Sequence, residues 1–334
     1  MADSATPVEA IRLLIEEEIE KVPFRPYVML NNVRKADEFQ SQIKWNANVG
    51  GATVQGRATT ANASTGTKST TQNATLSIGG RVLGHTFSIL RNDIVQAQRT
   101  APGALRNLFS YHVNEAFDII LEELNITLYD GDGSNDAHGI LGLDGVTAAT
   151  SYAGIASATY SEWLSTVNDN SGNNRNLTKT LLDNIDVAIK RRGVMYDAIY
   201  TTPELIKKYE DLFNTERSLT VNQINGTADV GFSGHSYSGV PIFTDIHCPD
   251  NSMYFIDSRK VEMRTYNLGG VRSTDPSGRT IGTQANPTKT MGINFLIAEL
   301  PANNPHAIDL EISVQPQLMV RQPKCVAKLA DLTQ

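Results

Sequence analysis

The sequence predicts an α+β protein, and three observations carry that prediction. Leu105, Phe109, Val113, Ala116, Phe117, Ile120, Leu121, Leu124 and Leu128 recur at steps of three and four, which is the apolar face of one long α-helix. Residues 41–92 hold five bases and no acid, and alternate as β-strands around a tip rich in Thr, Ser and Ala. Residues 161–265 mix amphipathic helices with short apolar strands.

Composition sets the outer bounds. At 334 residues, 40% apolar and 19% charged, the chain can bury a full core, and disorder throughout is not expected. A net charge of −7 argues against nucleic-acid binding as its main purpose. No apolar run reaches membrane-spanning length, and MADSATPVEA lacks the basic start and apolar core of a signal peptide, so use in a cytoplasm and no membrane partner are expected. Cys248 and Cys325 have no metal-ligand spacing and read as free thiols.

Thr6-Pro7-Val8-Glu9 starts a helix, with Thr6 as N-cap, Pro7 in the first turn and Glu9 closing a capping box. Val8, Ile11, Ile15, Ile19 and Val22 make a narrow apolar stripe beside Glu16, Glu17, Glu18 and Glu20, so residues 1–40 read as an arm that docks onto something. QSQIKWNANVGGATVQG and NATLSIGGRVLGHTFSIL are expected to pair as a long hairpin, 41–92, with arms reaching roughly 50 to 65 Å. Such a hairpin buries too little to stand alone.

The long helix is expected to start near Pro102 and end at Asp130, with Gly131 in the left-handed C-terminal position. Asn107, Tyr111, Glu115, Asp118, Glu122 and Asn125 fall on its opposite, polar face. A helix from about Leu177 to Arg192 is capped by Gly193, and a second begins at Thr202-Pro203-Glu204. DAIYTT, GVPIFTDI, SMYFIDS and KVEMRTY are the strands of that region. Residues 266–291 read as a polar loop, and INFLIAEL, AIDLEISVQ, LMVRQ and CVAKL, within 292–334, as late strands returning to the hairpin roots and the long helix.

No catalytic constellation stands out. A P-loop is missing, and Gly234-His235-Ser236-Tyr237-Ser238 fails the nucleophile-elbow pattern at Ser238. Asp130, Asp132 and Ser134 start like a calcium loop, but Asn135 stands where Gly is required and Leu141 where Glu is required. The six histidines include no i, i+4 pair for zinc. No cofactor and no metal are expected, and an enzyme centred on the α/β region 161–265 is the alternative from a different class.

The order of segments resembles the major capsid proteins of tailed bacteriophages, of cyanophage or other double-stranded-DNA type, with the Hong Kong 97-like fold. Local features that carry the resemblance are Asp130-Gly131-Asp132-Gly133 with Gly139-Ile140-Leu141 after the long helix, YTTPELIKKYEDL, and Gly239-Val240-Pro241-Ile242-Phe243. The resemblance implies an N-terminal arm (1–40), an extended loop (41–92), a peripheral domain on a spine helix (93–160), an axial domain (161–265), a polar loop (266–291) and C-terminal strands returning to the peripheral domain (292–334). It also implies self-assembly through pentamers and hexamers in a host cytoplasm into a virion shell around double-stranded DNA. A separate scaffolding protein, a portal and a decoration protein are the further partners implied. An encapsulin-type bacterial nanocompartment shares the fold and is the nearer alternative.

Charge then suggests the contacts. Lys44, Arg57, Lys68, Arg81 and Arg91 of the loop are expected to meet acids of neighbouring copies, with Glu115, Asp118, Glu122 and the arm's Glu16, Glu17, Glu18 and Glu20 as candidates. Exposed ion pairs are each worth roughly 0 to 1 kcal/mol, so they set register while apolar and β contacts hold the shell. Gly79, Gly80 and Gly84 are candidate hinge positions for the loop.

Overall fold

The 3.6-residue stripe produces the helix it requires. In the computed structural model, which describes residues 27–36, 42–50, 70–77, 82–100, 104–131, 140–213, 223–224, 227–228, 235–266, 273–274, 280–281, 286–290, 293–299 and 306–334, the helix runs Ala104–Asp130 over 27 residues. Ala116, Ile120, Leu121, Leu124 and Leu128 are buried. Two expectations about this helix need correction. Asn125, assigned to the polar face, is fully buried. Gly131 is not left-handed: the positive-φ glycines among the described residues are Gly50, Gly154, Gly172, Gly193 and Gly239. Crowding demands glycine at 131 instead, since a Cβ there would lie 2.2 Å from the Ile140 carbonyl oxygen and 2.7 Å from that of Thr127. The chain crosses back over the helix end, where the Gly142 N–H donates to the Gly131 carbonyl at 2.6 Å.

A four-stranded antiparallel sheet lies along the helix, in the order 286–290, 293–299, 307–314, 83–90. Phe117 meets Phe295 edge-on at 4.9 Å, and His112 stacks on Phe87 at 5.9 Å. Leu83–Leu90, expected in the returning arm of the hairpin, pairs along its whole length with Ala307–Val314. The described hairpin is Gln42–Asn48 against Thr71–Ser77, and the Val49 N–H extends its ladder to the Thr70 carbonyl at 3.0 Å. Its faces alternate as a half-buried strand must: Ile43 and Ala47 are buried, Lys44 and Asn46 exposed. Residues 51–69, the expected tip, lie outside the described residues.

A six-stranded mixed sheet has the order 236–237, 240–244, 198–201, 253–256, 326–329, 166–168. Its side chains alternate between two cores. Ile199, Met253, Phe255, Ala327 and Leu329 pack with Leu182, Ile185 and Ile189 of helix Lys179–Arg191 and with Leu205, Ile206 and Tyr209 of helix Pro203–Phe213. Ala198, Tyr200, Tyr254, Ile256 and Val326 point the other way and join the core built on the long helix. Tyr129 of that helix meets Tyr200 and Tyr254 at 6.3 and 5.7 Å between ring centroids. Thr202 caps its helix as predicted, accepting from the Leu205 N–H at 3.4 Å, and Gly193 follows the other helix with φ +71°.

The late strands divide among three sheets. Ile293–Glu299 and Ala307–Val314 lie in the sheet on the long helix. Pro316–Val320 pairs with Val261–Thr265, which pairs in parallel with Arg34–Lys35. KVEMRTY therefore sits in a separate three-stranded sheet. Val326–Leu329 is inserted between Met253–Ile256 and Thr166–Asn168 rather than paired at the hairpin root, although Val326 joins the core built on the long helix.

Candidate assembly surface

Of the basic set, Lys44 is exposed on the hairpin and Arg91 is exposed where Leu83–Leu90 passes into the helix Arg91–Thr100. Arg57, Lys68, Arg81, Glu16, Glu17, Glu18, Glu20, Gly79 and Gly80 lie outside the described residues. Gly84 stands inside a paired strand opposite Ser313, where a Cβ would come 2.8 Å from Glu311 Oε1.

The acidic face of the long helix is graded. Glu115 is half exposed, with Oε2 3.7 Å from His112 Nδ1. Asp118 is half-buried, and its backbone carbonyl accepts from the Tyr27 hydroxyl at 2.9 Å. Glu122 Oε1 lies 3.4 Å from Nε2 of the half-buried His247, whose side chain is 5% exposed. Toward Glu122 the face is thus covered from within the same subunit, by the segment at Tyr27 and the turn at His247.

Beneath that cover lies a polar node. Asp245 is fully buried and accepts from the Met29 N–H at 3.1 Å, Asn125 Nδ2 at 3.1 Å, the Tyr129 hydroxyl at 2.9 Å and the His247 N–H at 3.0 Å. Asn125 Oδ1 accepts from the Leu30 N–H at 2.9 Å, which orients its amide so that Nδ2 donates to His247 Nδ1 at 2.9 Å. One carboxylate so ties helix Val28–Asn32 to the long helix and to the turn after strand Val240–Thr244. Burial first, then the charge of Asp245, drives the Tyr129 hydroxyl well above the ordinary tyrosine range, so it remains a donor.

A second node is charged. Glu262, buried on Val261–Thr265, receives Arg321 through Nη2 at 2.7 Å and Nε at 3.0 Å, Arg264 Nη2 at 3.2 Å, and Arg34 Nη1 at 3.7 Å. Burial opposes ionisation of Glu262, but hydrogen bonds from Arg321 and Arg264 outweigh it and hold the carboxyl below the usual range.

A cleft of about 670 Å³ between the end of the long helix and the sheet edge is lined by Asp130, Asp144, Asp169, Asp331 and Lys328, with neither histidine nor cysteine. Asp144 is already held by Lys328 Nζ at 2.5 Å and by the Tyr254 hydroxyl, which leaves it poorly placed to act as a base. Cys248 and Cys325 are free and buried, and burial pushes both thiols up, Cys325 to about 11. Among the described residues no group of three or more His, Cys, Asp or Glu could hold a metal ion.

Sequence reading missed both nodes. Glu262 and Arg264 stand at i, i+2 on a strand and so share a face, a signal that was visible. Asp245 offers little local sign, because three of its four donors come from positions 29, 125 and 129 and only the His247 N–H is close in sequence.

No protein-family model matches the chain, and no curated protein does. Among solved structures it is similar to a chain in the capsid asymmetric unit of cyanophage A-1(L), at 23% identity and TM-score 0.77, covering 95% of each chain. It is also similar to the capsid of a native GTA particle, at 10% identity and TM-score 0.62 over 95% of this chain and 94% of the other. The holo-SrpI encapsulin complex of Synechococcus elongatus matches at 12% identity and TM-score 0.56 over 98% and 96%. Agreement over whole chains at such identities speaks for shared architecture, and the chain has the Hong Kong 97-like fold of phage capsid proteins.

Proposed function

We propose that this chain is a major capsid protein whose copies assemble through pentamers and hexamers into the icosahedral head of a tailed phage, enclosing its double-stranded DNA. The observation that carries the reading is the end-to-end likeness to a cyanophage capsid chain, 95% of both molecules. In this reading residues 1–40 are the arm, 41–92 the extended loop, 93–160 with the strands 293–299 and 307–314 of segment 292–334 the peripheral domain, 266–291 a polar loop and 161–265 the axial domain, to which strands 316–320 and 326–329 of that last segment are added. Lys44, Arg57, Lys68, Arg81 and Arg91 meet acids of neighbouring copies, and the open, Glu115 end of the helix face is the better placed to receive them. Gly79 and Gly80 serve the swing of the loop, whereas Gly84, the third candidate, is held within the strand Leu83–Leu90 by its pairing with Ala307–Val314. DNA is held without sequence-specific contact, in keeping with a net charge of −7. Scaffolding, portal and decoration proteins complete a virion assembled in the host cytoplasm, and the role is structural rather than enzymatic.

An encapsulin shell is the second reading, favoured by the match to the Synechococcus complex. Electron microscopy of the expressed protein, followed by analysis of what co-purifies, tests both. Large icosahedral particles support a shell, and nuclease-protected DNA in an infected host separates a phage head from a protein-filled compartment. A monodisperse monomer or dimer under all conditions overturns both.

A further inference from the structure

The cleft at the end of the long helix sets four acids, Asp130, Asp144, Asp169 and Asp331, against one base, Lys328, a formal balance of −3. The acids come from separate places: the last turn of the long helix, the first turn of helix Leu143–Ala148, the residue after strand Thr166–Asn168, and the segment just beyond strand Val326–Leu329. Asp144 and Lys328 neutralise each other. Asp331 is held through Oδ2 alone, which accepts from the Asn170 and Gly172 N–H groups at 2.6 and 2.9 Å. Among the described residues Asp130 and Asp169 have neither a hydrogen bond nor an ion pair. Asp130 also stands at the negative pole of the 27-residue helix.

Two features select the kind of cation that fits. Although these acids share one cleft, no three of them converge closely enough to hold a metal ion. The charge is spread out, and a compact divalent ion would meet only part of it. Between the acids the walls are apolar, with Ala148 on the helix side and Val167 and Ala330 on the sheet side, and Leu164 and Val167 are 45% and 42% exposed. The cleft already seats one alkylammonium group: Lys328 Nζ lies 2.5 Å from Asp144 Oδ1 and 5.6 Å over the Tyr254 ring. An aliphatic chain bearing several ammonium groups meets both demands, its methylenes covering the apolar walls and its separated charges reaching separated carboxylates. The cleft volume of about 670 Å³ is of the size that takes a small organic molecule. We propose that this cleft binds a linear aliphatic polyamine, a triamine whose three charges match Asp130, Asp169 and Asp331. The site lies within one subunit and does not rest on the shell reading.

Isothermal titration calorimetry of the full-length chain in about 0.15 M salt tests this, with spermidine, butylamine and magnesium chloride as separate titrants. Saturable one-to-one binding of spermidine is expected, with butylamine about tenfold weaker or more. Asp130→Asn/Asp169→Asn changes two exposed side chains and should weaken spermidine about tenfold while circular dichroism stays native. Val167→Lys sets a tethered ammonium on the exposed wall and should block the site without removing an acid. Hydrogen exchange should slow at 143–148 and 326–331 when spermidine is added. No binding of spermidine up to about 1 mM overturns the proposal. So does unchanged binding in either variant. Magnesium that binds as well as spermidine at matched charge also overturns it, since the cleft is then a surface for adventitious cations only.

Discussion

Replacing Asp245 with alanine removes the acceptor for four donors at once: the Met29 and His247 amides, Asn125 Nδ2 and the Tyr129 hydroxyl. Met29, Asn125 and Tyr129 are fully buried, so bulk water cannot take the place of the carboxylate. A buried donor left unpaired costs about 1–3 kcal/mol. The contributions share one site and do not add, and a water admitted to the vacated space offsets part, so a net loss of about 3–5 kcal/mol is expected. Asp245→Asn keeps a carbonyl acceptor but turns an NH2 toward the donors, and should lose about 1–3 kcal/mol. Urea unfolding of the unassembled subunit, followed through the buried Trp163, reads both at a common slope. Hydrogen exchange locates the effect, because the Met29 amide loses its acceptor directly and the Leu30 amide loses its support through Asn125. A loss under about 1 kcal/mol for the alanine variant, with Met29 exchange unchanged, would refute the view that this carboxylate pins the N-terminal segment to the helix.

Glu262 has a folded-state pKa below its unfolded one, so its stabilisation is complete above about pH 4.3 and is lost as pH falls through the folded value. Glu262→Gln is expected to melt lower at pH 7 and to flatten the pH dependence in the acid range, as thermal melts from about pH 3 to 7 can check. Gly131→Ala should destabilise by about 3 kcal/mol or more, because its Cβ meets two backbone carbonyls, whereas Gly193→Ala, with open space around it but φ +71°, should lose about 1 kcal/mol; paired melts separate crowding from backbone strain. Reversing Arg57, Lys68 and Arg81 together to Glu should leave a subunit with native circular dichroism and abolish particles in micrographs, and normal particles would remove the loop-docking idea. Valine at Gly79 and Gly80 should block shell expansion, and unchanged expansion by scattering would remove the hinge.

Period and capping were legible where one element decides its own face. The stripe Ala116 to Leu128, the Thr202 cap and the alternation of Ile43 and Ala47 with Lys44 and Asn46 all follow from local geometry. Pairing between distant strands was not legible, because alternation says that a strand has a buried face without saying against whom. Leu83–Leu90 alternates equally well in a hairpin or beside Ala307–Val314, and the structure chooses the latter. Asn125 shows the same limit on a helix. Its position says polar face, but helix Val28–Asn32 and the turn at His247 cover that face and convert it to interior. The candidate surface was therefore legible as charge balance, while the arrangement of Arg34, Arg264 and Arg321 around Glu262 required three strands from separate parts of the chain to be brought together.

The insertion of Val326–Leu329 between Met253–Ile256 and Thr166–Asn168 has a consequence for the order of events during synthesis. Until residues 326–329 have left the ribosome, that sheet is two separate pieces with an unfilled slot between them. Slow, long-range closure of this kind delays folding until translation has passed this strand. A truncated product lacking it would present two unpaired strand edges and could not complete the face against which Tyr129 packs. In the proposed shell, a copy truncated before this strand is therefore expected to be left out of particles, which co-expression with the full-length chain and analysis of purified particles can check.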